Sequence, residues 1–160
     1  EIMPSLVGSE MCIRDRTLSS LSVDLTCKPH PAAVRGNAFH GDEIRDRPYI
    51  LDGLARISTQ PFEDIMSDAD VFVFDVVNST IFWEALCTTQ PVVYIDLGYT
   101  TLLPEIFSLI EKRCVVISAN YDGNNIPRID ASELSAAVSG NLEQRDPTAM
   151  RELFLGPSLG

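Results

Sequence analysis

Basic side chains are scarce in this chain. Twelve Lys and Arg stand against 23 Asp and Glu, so the net charge is 12 − 23 = −11. That balance argues against general binding to nucleic acid or an anionic membrane surface, while leaving room for a local anion site. Long apolar runs are also missing: none approaches the roughly 20 residues of a membrane span, and no basic stretch followed by an apolar one opens the chain, so neither anchor nor signal peptide is expected. Cysteine is sparse. Cys12, Cys27, Cys87 and Cys114 lie far apart, with no CxxC or Cys/His spacing of the kind zinc requires. They read as small buried hydrophobes in a reducing compartment. There is no GxGxxG, P-loop or GxSxG, and no acidic cluster of metal-binding type. Dinucleotide oxidoreductases, nucleoside triphosphatases and α/β-hydrolases therefore fall away as leading readings, and neither a metal nor a resident cofactor is expected.

What is present is a globular composition, 45% hydrophobic and 22% charged over 160 residues, the size of one ordinary domain. The expectation is a soluble, intracellular chain. Residues 1–16, EIMPSLVGSEMCIRDR, are similar to translated sequencing-adaptor read-through and to no domain. They are expected to be non-native, leaving residues 17–160 as the domain and an upstream part lost. The alternative is a genuine N-terminal tail, and neither reading gives the segment a function.

From Ser22 the pattern is α/β. Ser22 to Cys27 alternates polar and apolar and stops at Lys28-Pro29-His30-Pro31, which predicts a strand ending in a rigid loop. A surface connection follows from Ala32 to Arg47, then a weaker strand around Leu54 to Ser58. Pro61 suits the first position of a helix whose apolar face is Phe62, Ile65, Met66 and Ala69. Val71 to Phe74, Pro91 to Asp96 and Cys114 to Ser118 are continuous apolar runs, as in strands buried on both faces of a parallel sheet. Helices are expected between them, one from Ser79 or Thr80 to about Cys87 and one carrying Leu103, Ile106, Phe107 and Ile110. Residues 121–125 read as a turn, Asp130 with Glu133 as a capping box, and Pro147 to Leu155 as a last helix. The sum is an open parallel sheet with helices on both faces and right-handed crossovers.

In such sheets ligands bind beyond the carboxyl ends of the strands. Two strand ends carry polar chemistry. At Lys28-Pro29-His30-Pro31, an imidazole on a stiff loop can donate to an anion with Lys28 adding charge; the same residues also read as a proline-stiffened turn with an exposed His. At Asp75 to Thr80, Asn78, Ser79 and Thr80 precede a helix start, where free backbone N–H groups and the dipole favour phosphate. A plain helix cap explains one of the two hydroxyls equally well. Glu84, one turn beyond Thr80, could accept from vicinal hydroxyls of a ribose or sugar, or be a solvated helix Glu. Trp83 reads as packing. The ligand these features leave is a phosphate joined to a polyol.

KPHP at a strand end, then QPFEDIMSDADVFVFD, NSTIFWEAL and QPVVYIDLG, is similar in order and spacing to the C-terminal, donor-binding half of GT-B fold glycosyltransferases. The nearest likeness is to bacterial surface-carbohydrate and capsule polysaccharide transferases, and it covers roughly Ser22 to Leu155. The resemblance implies a Rossmann-like half of a GT-B fold, binding a nucleotide-activated sugar or polyol. It assigns the donor phosphate to Lys28, His30, Asn78, Ser79 and Thr80, with His30 in the catalytic role of neutralising charge on the leaving nucleotide. Gln60, Pro61, Glu63 and Glu84 fall near base, ribose or sugar. The partners implied are the donor, an N-terminal acceptor half of the same enzyme, and a glycan or lipid-linked acceptor, in the cytoplasm or at the inner membrane face. The general base would lie in that other half, so the isolated 160 residues are expected to be inactive. Rival readings are a nucleotide-sugar 2-epimerase-like fragment and a flavodoxin-like binding or regulatory module. A receiver-type regulator would need an acidic pair at the first strand end, where this chain has KPHP instead.

Overall fold

The computed structural model describes Leu18 and residues 23–28, 55–125, 127–139 and 145–156. The chain divides into two compact units, Glu1–Ile65 and Met66–Gly160.

In the first unit, β1 (Thr26–Cys27) and β2 (Arg56–Ile57) pair in parallel, Thr26 opposite Arg56 and Cys27 opposite Ile57. β1 is shorter than the alternation from Ser22 suggests: among the described residues only Thr26 and Cys27 pair with β2. An exposed ion pair, Arg56 Nη2 to Asp24 Oδ2 at 2.8 Å, extends the contact before the strands begin. α1 (Phe62–Ile65) follows Pro61, with Glu63 and Asp64 in its first turn and Phe62 buried.

The second unit opens with a 3-10 turn at Met66–Asp68. One helix carrying Phe62 through Ala69 is therefore not formed. Ser67 donates to the Asp68 carboxylate at 3.3 Å, and short polar side chains of this kind compete with the helical backbone.

Three parallel strands then alternate with helices: β3 (Phe72–Phe74), α2 (Thr80–Leu86), β4 (Val92–Asp96), α3 (Pro104–Arg113) and β5 (Val115–Ser118). The sheet order is β3-β4-β5, with Phe74 opposite Tyr94 and Tyr94 opposite Val116. β4 is central, and Val92, Val93, Tyr94 and Ile95 are all buried, as its unbroken apolar run requires. Phe82, Ala85 and Leu86 of α2, Ile110 of α3 and Ile117 of β5 complete this core. The α3 start follows ordinary helix chemistry, with Pro104 at the first position and Glu105 in the first turn.

The run expected as a turn at residues 121–125 is the tip of a small antiparallel hairpin, β6 (Asn120–Tyr121) with β7 (Pro127–Arg128). Asp122 organises it. Its carbonyl accepts from Asn125 N–H at 2.9 Å, and its carboxylate takes the Arg128 guanidinium at 2.9 Å. Asn125 has φ +58°, the left-handed region that Asn tolerates better than most residues. α4 (Ala131–Ser139) starts from Asp130, whose Oδ1 accepts from the backbone N–H groups of Ser132 at 2.8 Å and Glu133 at 3.1 Å. α5 (Thr148–Leu155) has Pro147 at its N-cap, and the Asp146 Oδ1 before it accepts from the Thr148 N–H at 3.0 Å and the Thr148 hydroxyl at 2.6 Å. Among the described residues, no helix is long and apolar enough to cross a membrane.

Candidate functional site

The β3–α2 corner is where chemistry gathers in the second unit. β3 ends at Phe74, and Asp75 to Ser79 carry the chain to α2. Asn78 and Thr80 are exposed, and Ser79 is half-buried. Ser79 occupies the N-cap with extended backbone, φ −122° and ψ 129°, yet its hydroxyl makes no capping hydrogen bond. The backbone instead closes the first turn, Phe82 N–H donating to the Ser79 carbonyl at 3.1 Å. Capping therefore does not account for that hydroxyl. The first N–H groups of any helix also lack intrahelical acceptors, so the corner presents donors toward solvent. Glu84 lies exposed one turn further along α2.

The end of β4 adds groups that single-strand reading passed over. Asp96 Oδ1 accepts from Gly98 N–H at 2.9 Å and from the Tyr94 hydroxyl at 3.3 Å. Gly98 has φ +72°, so the tight exit from β4 suits glycine. Burial, reinforced by the Asp96 and Asp75 carboxylates, holds the Tyr94 phenol protonated well above its ordinary range. From β6, the Tyr121 hydroxyl donates to the Leu97 carbonyl at 2.5 Å. The carboxyl ends of β3, β4 and β5 are thus lined by Asp75, Asp96 and Tyr121. The sequence signal for Asp96 was its place at the end of an apolar run two residues before a glycine, the same place Asp75 takes after β3.

In the first unit Lys28 and Gln60 come together. β1 and β2 run side by side, and the Lys28 ammonium just beyond β1 donates to the Gln60 carbonyl at 2.6 Å. That ammonium is therefore already hydrogen-bonded within the protein. Pro61 and Glu63 are exposed at the start of α1. His30, with the rest of the Pro29–Pro31 loop, lies outside the described residues.

The opposite, amino end of the second unit's sheet is filled by guanidinium groups. Arg113, only 2% exposed, donates Nε to the Leu86 carbonyl at 2.9 Å and Nη2 to the carbonyls of Gln90 at 2.7 Å, Thr88 at 2.9 Å and Ala85 at 3.4 Å. Arg151 donates to the Cys87 carbonyl at 2.7 Å, and Arg145 to the Glu111 carbonyl at 2.6 Å and to that of Cys114. These cations take carbonyls at the end of α2 (Ala85, Leu86), near the end of α3 (Glu111) and in the connections beyond, while the Ala85 carbonyl also accepts from the Thr88 N–H and hydroxyl. Cys87 and Cys114 lie at this end of the sheet, neither in a disulfide. Burial pushes the Cys114 thiol up to about 12 and raises Cys87 as well, so neither is an activated nucleophile. Trp83 packs, its ring 5.1 Å from Phe82 and 5.2 Å from Phe154. Among the described residues, no three His, Cys, Asp or Glu side chains cluster as a metal site would require.

Comparison with protein-family models, with curated proteins and with solved structures finds no match to this chain.

Proposed function

We propose that this chain is the donor-binding half of a glycosyltransferase of surface-polysaccharide synthesis, holding the phosphate of a nucleotide-activated sugar or polyol at the β3–α2 corner. The observation that carries the reading is the Ser79 hydroxyl, which stands at a helix start without capping it. Asn78 and Thr80 flank it from exposed positions beyond the carboxyl end of a parallel strand, where open α/β sheets take their ligands. Glu84 suits the hydroxyls of the ribose or sugar. The motif order that resembles GT-B enzymes converges on the same residues.

Under this reading the donor phosphate is held by hydroxyl and backbone donors of the β3–α2 corner; that His30 neutralises charge on the leaving nucleotide is what the GT-B resemblance implies, and it rests on that resemblance alone. The acceptor, a glycan or a lipid-linked one at the cytoplasmic face of a membrane, is positioned and deprotonated by a half of the enzyme outside these 160 residues. Isothermal titration with CMP, CDP, UDP and GDP tests the assignment. Binding of at least one nucleotide, weakened in a Ser79→Ala/Thr80→Ala double variant, supports it; the same affinity in the double variant as in the parent removes the β3–α2 corner from the site.

A further inference from the structure

We infer that Arg113 is a positioning residue, whose guanidinium locks the C-terminal end of α2 and the connection that follows it onto the end of α3, and thereby sets where Ser79 and Thr80 stand at the other end of the helix. The lock is a property of the fold; its consequence for ligand rests on the donor-binding reading above.

Arg113 ends α3, where a cation ordinarily stays in solvent near its own helix's carbonyls. Here it is buried and reaches across to α2. Its acceptors are the carbonyls of Ala85, Leu86, Thr88 and Gln90, the last turn of α2 and the connection into β4. Arg151 takes the carbonyl of Cys87, between those of Leu86 and Thr88. One side chain thus ties the end of α2, the connection leading toward β4, and its own α3 into a single corner. α2 has seven residues, about 10 Å at the helical rise, and helices that short do not persist alone in water. A rod of two turns held firmly at one end has little freedom at the other.

The energetics favour a geometric role over a stabilising one. The Arg113 Nη1 atom is buried with no hydrogen-bond partner, and burial pulls the guanidinium pKa down from its ordinary value. A buried cation with one donor unsatisfied stabilises a core poorly, whereas an apolar side chain of similar volume would fill the space without that penalty. What an apolar side chain would not do is donate to four carbonyls at once.

Hydrogen exchange by NMR on the full chain tests this with Arg113→Met, and with Arg151→Ala as an exposed-site variant that leaves the core intact. The amides of Glu84, Ala85 and Leu86 report on α2, and those of Val93, Tyr94 and Ile95 on β4. In Arg113→Met the α2 amides are expected to exchange about tenfold faster while the β4 amides hold their protection, and Arg151→Ala shifts the same amides in the same direction by less. Arg113→Lys, one point charge in place of a planar fork, restores only part of the protection. Nucleotide affinity falls about tenfold in Arg113→Met, in step with the loosened helix. Equal acceleration in α2 and β4 would make Arg113 merely stabilising and overturn the inference, as would unchanged α2 amides in either variant. Selective loosening of α2 with unchanged nucleotide affinity would uphold the lock and overturn the donor-binding reading instead.

Discussion

Ser79 and Asp130 hold similar places and do different work. Asp130 accepts two backbone N–H bonds and a 2.6 Å bond from the Ser132 hydroxyl, so it caps α4. Ser79 caps nothing. Replacing a working cap costs about 0.5–2 kcal/mol of stability, so Ser79→Ala, which removes no cap, is expected to stay within about 0.5 kcal/mol of the parent in a urea titration. The same variant should lose about 1.5–3 kcal/mol of nucleotide affinity, the scale of a hydrogen bond to a charged group. Loss of stability without loss of affinity would return Ser79 to a structural role. His30→Ala carries the same expected loss of affinity.

Asp130 and Asp146 supply a pH test. Hydrogen bonds from Ser132 and Glu133 lower the Asp130 pKa, and bonds from Thr148 lower that of Asp146. A carboxylate with a depressed folded-state pKa contributes stability that is present above the ordinary Asp value of about 4 and is lost as pH falls through the folded value. Melting temperature should therefore drop below about pH 4 in the parent, and less steeply in Asp130→Asn/Asp146→Asn. Parallel curves would show that these carboxylates do not set acid stability.

At the scale of elements, α2 joins the core to the site. Phe82 is fully buried, with ring centroids 5.3 Å from Phe74 and 5.5 Å from Tyr94, while the N-terminus of the same helix carries Thr80. Phe82→Ala is expected to cost about 3–5 kcal/mol, measured by denaturant unfolding. A cost under about 1 kcal/mol would mean that the cluster does not anchor the helix.

β3, β4 and β5 were legible in the chain as unbroken apolar runs, but only β4 is buried on both faces; in β3 only Phe72 and in β5 only Ile117 is buried. α3 was legible because Ile106 and Ile110 repeat at helical spacing behind Pro104. The β6–β7 hairpin was not, because two-residue strands show no period. Nor was Arg113: a Lys-Arg pair at a helix end looks like a solvated, dipole-favoured terminus, and only the fold reveals which carbonyls it meets. Of the site, the Asn78–Thr80 corner could be located from a strand end meeting a helix start. The Asp96–Tyr94 pair could not, because its chemistry depends on burial and on Asp75 just past the neighbouring strand.

For the molecule as a whole, the second unit is an α/β layer with a parallel sheet flanked by helices, the amino end of the sheet met by Arg113, Arg145 and Arg151 and the carboxyl end carrying the β3–α2 corner proposed for ligand. If it is one half of a transferase, it should bind donor and transfer nothing, because neither acceptor positioning nor the base that activates the acceptor is supplied. Sugar release from a radiolabelled donor by the purified chain would show instead that these residues suffice for chemistry. The most direct test of the central claim is an NMR titration of the 160-residue chain with CMP, CDP, UDP and GDP. The account predicts that at least one of them saturably shifts the amides of Asn78, Ser79, Thr80 and Glu84 while those of Leu86 to Gln90, at the arginine-closed end, stay in place. No shift at the β3–α2 corner with any of the four would contradict it.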